Sequence, residues 1–97
     1  MSYYTKYELT IVSDIDFVHL EDLIQKLGFN PFSSSCQWYE HECDLTQYSM
    51  QNQNILFILK GQGEDTEDIW VKYFKNGKKQ VCRAKIIYDA FDESKME

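Results

Sequence analysis

Ninety-seven residues amount to one domain, and 43% hydrophobic with 15% aromatic content is enough for a modest core, which excludes a disordered chain. Four glycines and one proline exclude a linker or low-complexity architecture. The net charge of −6 conceals an asymmetry: residues 69–88 hold six of the ten bases and no acid, which leaves sixteen acids against four bases elsewhere. An acidic body repels a phosphate backbone and suits a basic protein partner.

Tyr3 to Val12 alternates with period two, Tyr3, Tyr7, Leu9 and Ile11 against Tyr4, Lys6, Glu8 and Thr10. That pattern predicts a strand with one buried face. Ser13 and Asp14 offer N-caps for a helix carrying Phe17, Leu20, Leu23, Ile24 and Leu27 at helical spacing. Gly28 is its left-handed terminator, and Pro31 breaks the loop that follows. Cys36 to Tyr39 is a short extended piece, and Leu45 and Tyr48, with Met50 or Gln51, mark a second, shorter helix. The unbroken apolar run "NILFILKG" is too short for a buried helix and predicts a central strand.

Asn76-Gly77 is a strong two-residue hairpin signal, because a type I′ turn needs positive φ at both positions. It sets a register in which Lys75 faces Lys78, Tyr73 faces Gln80, Val71 faces Cys82 and Ile69 faces Ala84. These residues, with Ile86 and Tyr88, are assigned to the core side. Trp70, Lys72, Phe74, Lys79, Val81, Arg83 and Lys85 then form the outer face, with Trp70 over Arg83 and Asp68 opposite Lys85. The expected fold is α+β: a four-stranded antiparallel sheet with two helices on one face, in a ferredoxin-like layout.

No basic start followed by an apolar run opens the chain, and no stretch reaches the roughly 20 apolar residues of a membrane span. A cytoplasmic location with reduced thiols, away from membranes, is therefore expected, and the odd count of three cysteines agrees.

Two surfaces stand out. Glu64, Asp65, Glu67 and Asp68 put four carboxylates into five positions. They lack the spaced oxygen pattern of a calcium loop, so the plain reading is a solvated loop and the functional one an acidic face for a protein partner. Glu40, Glu42, Asp44, Asp89, Asp92, Glu93 and Glu97 could extend that face into an imitation of phosphate spacing. The second surface is the outer hairpin face, where Trp70 and Phe74 among Lys72, Lys79, Arg83 and Lys85 resemble a platform for stacking bases and pairing phosphates. Its plain reading is a lysine-guarded exposed sheet, or aromatics covering a helix if the core face is reversed.

Cys36, His41 and Cys43 invite zinc, but C-x4-H-x-C matches no common structural site and Cys82 would have to supply a distant fourth ligand. A Cys–His pair has no assignable orienting acid or oxyanion element, and Gly61-x-Gly63 is no phosphate loop. Neither an enzyme, a metal nor a cofactor is expected.

The pattern Trp38-Tyr39, His41, Asp44-Leu45, Ser49, Leu56-Phe57, Gly61-x-Gly63-Glu64, Asp68-Ile69-Trp70, Tyr73-Phe74-x-Asn76-Gly77-Lys78 and Phe91-Asp92 resembles a family of small proteins encoded in bacteriophages and prophages. The resemblance spans residues 38–95, with a weaker match at "YELTI". By analogy it implies a counter-defence protein of the anti-CRISPR kind, acting in a bacterial host cell. Its partner would be a host nucleic-acid-handling effector such as a CRISPR-associated nuclease, met through Glu64, Asp65, Glu67 and Asp68. The alternative expectation is a small nucleic-acid or nucleotide binder using the hairpin face. A sheet edge and exposed aromatics also leave room for a homodimer.

Overall fold

A computed structural model describes residues 3–97, so Met1 and Ser2 of the opening stretch lie outside the described residues. The order is β1 (Thr5–Val12), α1 (Asp16–Leu27), α2 (His41–Gln51), β2 (Leu56–Gly63), β3 (Ile69–Lys75) and β4 (Lys78–Arg83), then a 3₁₀ turn at Glu93–Lys95. The class is α+β, and the four strands pair antiparallel in the order β1-β2-β3-β4. Both helices therefore occupy the single β1–β2 connection. A ferredoxin-like layout would separate them by two strands. Here Cys36 makes only one bridge, to Thr5, through bonds of 2.9 and 3.0 Å. No strand forms between the helices, and the last three strands, joined by short turns, can only make a meander.

Local signals explain the boundaries. Gly28 closes α1 at φ 79°, its N–H reaching the carbonyls of Ile24 and Gln25. Ser13 and Asp14 are not the caps: α1 starts at Asp16, the Ser13 hydroxyl accepts from the Ile15 N–H, and the Asp16 carboxylate accepts from the Phe17 N–H. Asn76 and Gly77 stand at φ 53° and 76°, the pair of positive values a type I′ turn requires. The buried Ser49 hydroxyl of α2 accepts from the Gly77 N–H at 2.9 Å and ties that turn to the helix.

The hairpin register is as the turn predicts, Lys75↔Lys78, Tyr73↔Gln80, Val71↔Cys82 and Trp70↔Arg83. The face assignment is reversed. Trp70, Lys72 and Phe74 are 5, 4 and 0% exposed, and they join Tyr7, Phe57 and Leu59 of the sheet in the core. Leu23 of α1, Leu45 and Tyr48 of α2, and Trp38 complete it. Ile69, Val71 and Tyr73 point the other way and are only partly covered. A strand has two faces, and the one that buries more apolar volume wins. Trp70 and Phe74 outweigh their neighbours, and Gly61, directly across from Trp70, leaves the space its indole needs. A Cβ at Gly61 would sit inside that ring. Gly61→Ala is expected to cost about 2–3 kcal/mol by overpacking, measured by chemical denaturation.

β4 ends at Arg83, one bond after which Ala84 donates to the Ile69 carbonyl at 2.9 Å. Ile86 and Tyr88 therefore do not continue the core side. Their partner strand begins at Ile69, and the residues before it form a turn. Ile87, Tyr88 and Phe91 are 85, 84 and 81% exposed. The radius of gyration, 16.9 Å, exceeds the about 12–13 Å of a compact chain this long.

Candidate functional site

Five residues, 64–68, link β2 to β3. Their backbone is closed on itself: the Gly63 N–H donates to the Asp68 carbonyl and the Asp68 N–H to the Asp65 carbonyl, both at 2.9 Å. The segment before β1 pins it from outside. The Tyr3 hydroxyl donates to Asp68 at 2.7 Å and accepts from the Asp65 N–H at 3.2 Å, while the Tyr4 N–H donates to Glu64 at 3.1 Å. Arg83 approaches Asp68 at 3.8 Å. The four expected acids thus divide into two pairs. Glu64 and Asp68 hold the turn, and the exposed Asp65 and Glu67 carboxylates make no hydrogen bond or ion pair among the described residues. The result is an acidic turn tied by hydrogen bonds, with two carboxylates left to solvent.

The basic residues of the hairpin do not form one patch. Lys72 is buried. Lys79 and Arg83 lie on the helix side, paired with Glu42 and Asp68. Lys75 and Lys78 lie on the opposite side, and Lys85 lies beyond the sheet. The expected stacking platform is absent as drawn, since Trp70 and Phe74 are inside. Nor does Trp70 receive Arg83: the cation over its ring is Lys72, at 4.1 Å. Asp68 is met by Arg83, not Lys85.

Under α2 lies a polar centre that the sequence only hinted at. The Lys72 ammonium donates to Glu42 at 2.8 Å and to His41 Nε2 at 2.6 Å. His41 Nδ1 takes the Trp38 carbonyl at 2.8 Å, which makes it the protonated nitrogen and leaves Nε2 as the acceptor. The imidazole stacks on Trp70 at 5.1 Å and 11°. Glu42 also takes Lys79, and Asp44 accepts from Trp38 Nε1 at 2.7 Å. The Glu42 and Asp44 carboxylates are thus each engaged by internal partners rather than free to extend an acidic face. A lysine placed between two aromatics on one strand face was the signal. Such a residue is either an exposed cation or a buried one that requires a carboxylate, and Glu42 in the first turn of α2 supplies it.

Hydrogen bonds from Lys72 and Lys79 hold the Glu42 carboxyl down at about 2. Burial holds the His41 imidazole below its usual range, and the Lys72 charge adds to that while the Trp38 carbonyl opposes it. Both shifts act in one direction. The unfolded chain takes up a proton at His41 first, so stability is complete above about 6.5 and falls as pH drops below it. The Glu42 contribution is present above about 4.3 and is lost between there and about 2. Melting temperature against pH should therefore show two descending steps, and His41→Gln should remove the upper one.

The cysteine readings separate in space. Cys82 is on the sheet face away from the core, Cys43 is exposed, and Cys36 donates weakly to the Pro31 carbonyl at 3.6 Å. Burial pushes the Cys36 thiol up. Both His41 nitrogens are engaged, so neither faces Cys43. Among the described residues no group of three His, Cys, Asp or Glu side chains gathers as a metal site would, and no helix is long and apolar enough to cross a membrane. Compared with known proteins, the chain matches no family model, no curated protein and no solved structure.

Proposed function

We propose that the chain is a non-enzymatic binding protein of the phage counter-defence kind, which sets its acidic β2–β3 turn into a basic, nucleic-acid-reading surface of a host effector such as a CRISPR-associated nuclease. The observation that carries this reading is the pinned turn. Backbone bonds and two tyrosines fix it, while Asp65 and Glu67 remain unpaired and solvent-facing. Carboxylates held in place lose little freedom on binding and can stand where a phosphate stood. The resemblance across residues 38–95 adds the phage context.

The test is capture of partners from a bacterial lysate by tagged protein, with and without nuclease treatment. Asp65→Lys/Glu67→Lys is the cleanest variant, because reversing Glu64 or Asp68 also releases the Tyr4 and Tyr3 anchors. The wild type should retain a nucleic-acid-handling enzyme after nuclease treatment. The variant should recover at least about tenfold less, the effect of roughly 1.4 kcal/mol. Equal recovery by the variant, or capture that vanishes with nuclease, would remove this reading.

A further inference from the structure

The segment after β4 and the sheet face opposite the core are each incomplete, and their chemistries match. Leu56, Ile58, Val71 and Tyr73 form a half-covered apolar strip on that face. Two shallow grooves of about 430 and about 340 Å³ lie along it, the first lined by Leu56, Tyr73 and Lys78, the second by Lys60, Ile69 and Val71. Lys6, Lys60, Lys75 and Lys78 border the strip, with Glu8 the one acid among the β1 to β4 residues of that face. Residues 84–97 invert this arrangement: Ile86, Ile87, Tyr88 and Phe91 are exposed, and the segment carries four acids, Asp89, Asp92, Glu93 and Glu97, against Lys85 and Lys95.

We infer that this segment docks across the open sheet face of a second copy of the chain, so that two copies exchange tails about a twofold axis. The segment has trouble reaching its own sheet. Ala84 to Tyr88 contains no Gly, Pro, Asn, Asp or Ser with which to reverse direction after Arg83, and Ile86-Ile87 favours extended backbone. Extended, Lys85 to Phe91 spans about 23 Å, close to the about 26 Å of an eight-residue strand. Each tail brings two aromatic rings of about 150–250 Å² apiece, so a symmetric pair, with the sheet area it covers, exceeds the about 1,000 Å² of a specific interface. Opposite charges on tail and face set the direction of docking, and the same patch serves both copies, as a twofold contact demands.

Sedimentation of the full chain tests this. The wild type should sediment as a dimer. Ile87→Asp/Phe91→Asp should weaken self-association by at least about 30-fold, as for a lost anchor. It should keep its fold, because residues 84–97 are exposed throughout, and an unchanged melting curve confirms that. Lys60→Glu/Lys75→Glu should weaken association from the other side, and Asp89→Lys/Asp92→Lys added to it should restore the dimer. A wild type that stays monomeric up to its solubility limit overturns the inference, as does a dimer indifferent to the tail variant. A monomer whose Tyr73 surroundings change with the tail variant overturns it too, by placing the tail on its own sheet.

Discussion

Glu42→Ala should cost about 2–3 kcal/mol, while Lys72→Met should cost less than half of that. Removing Glu42 leaves the Lys72 ammonium inside with only His41 Nε2 and the Trp70 ring, and an uncompensated buried charge is among the most damaging single changes. The lower end of that range applies because the Glu42 side chain is 36% exposed and water can enter beside it. Lys72→Met removes the charge and keeps the packing. Glu42 then still has Lys79, and only the His41 acceptor is stranded. The double variant should lie close to Lys72→Met alone, since the buried charge is already gone. Denaturant melts of the three proteins check this, and equal costs for the two single changes would show that no buried charge is at stake.

Phe74→Ala should lower stability by about 3–5 kcal/mol, and Tyr73→Ala by about 1 kcal/mol or less. Phe74 is fully buried beside its strand partner Phe57, whereas Tyr73 faces the open side of the sheet. At about 4–8 °C per kcal/mol for a domain of this size, the first variant should melt at least about 12 °C below the wild type and the second no more than about 8 °C below it. The opposite order would restore the core side first assigned to Ile69, Val71 and Tyr73.

That hairpin shows how far the sequence could be followed. Asn76-Gly77 named the turn and, with it, every pair between β3 and β4. Register follows from local backbone chemistry, which a dipeptide can specify. Which face is buried does not, because both faces of β3 carry apolar residues and the choice depends on what lies above. Gly61, on the neighbouring strand β2 rather than within the hairpin, opened the space for Trp70. Alternation in β1 was legible because only one of its faces is apolar. The ferredoxin-like expectation failed at Cys36, where a short extended piece found one partner and no ladder. The extension of β4 through Ile86 and Tyr88 failed because pairing needs a partner strand, and the acidic turn ends that partner at Ile69.

The candidate surfaces divided in the same way. The acids of 64–68 stand together as their spacing required, but which of them hold the turn and which are free depends on Tyr3 and Tyr4, about sixty residues away. The hairpin bases looked like one patch because they are contiguous in sequence. In space they are split between two sheet faces and the core, and the pairing of Lys72 and Lys79 with Glu42 could not be read from spacing alone.

The measurement that bears most directly on the proposed function is competition on the captured effector. Labelled nucleic acid bound to that effector would be titrated with wild-type protein and with Asp65→Lys/Glu67→Lys, and its release followed by fluorescence anisotropy at low and high salt. The wild type should displace the nucleic acid, with less potency as salt rises, and the variant should not. Wild-type protein that binds the effector and leaves the nucleic acid in place would contradict occupation of a phosphate-binding surface by the acidic turn.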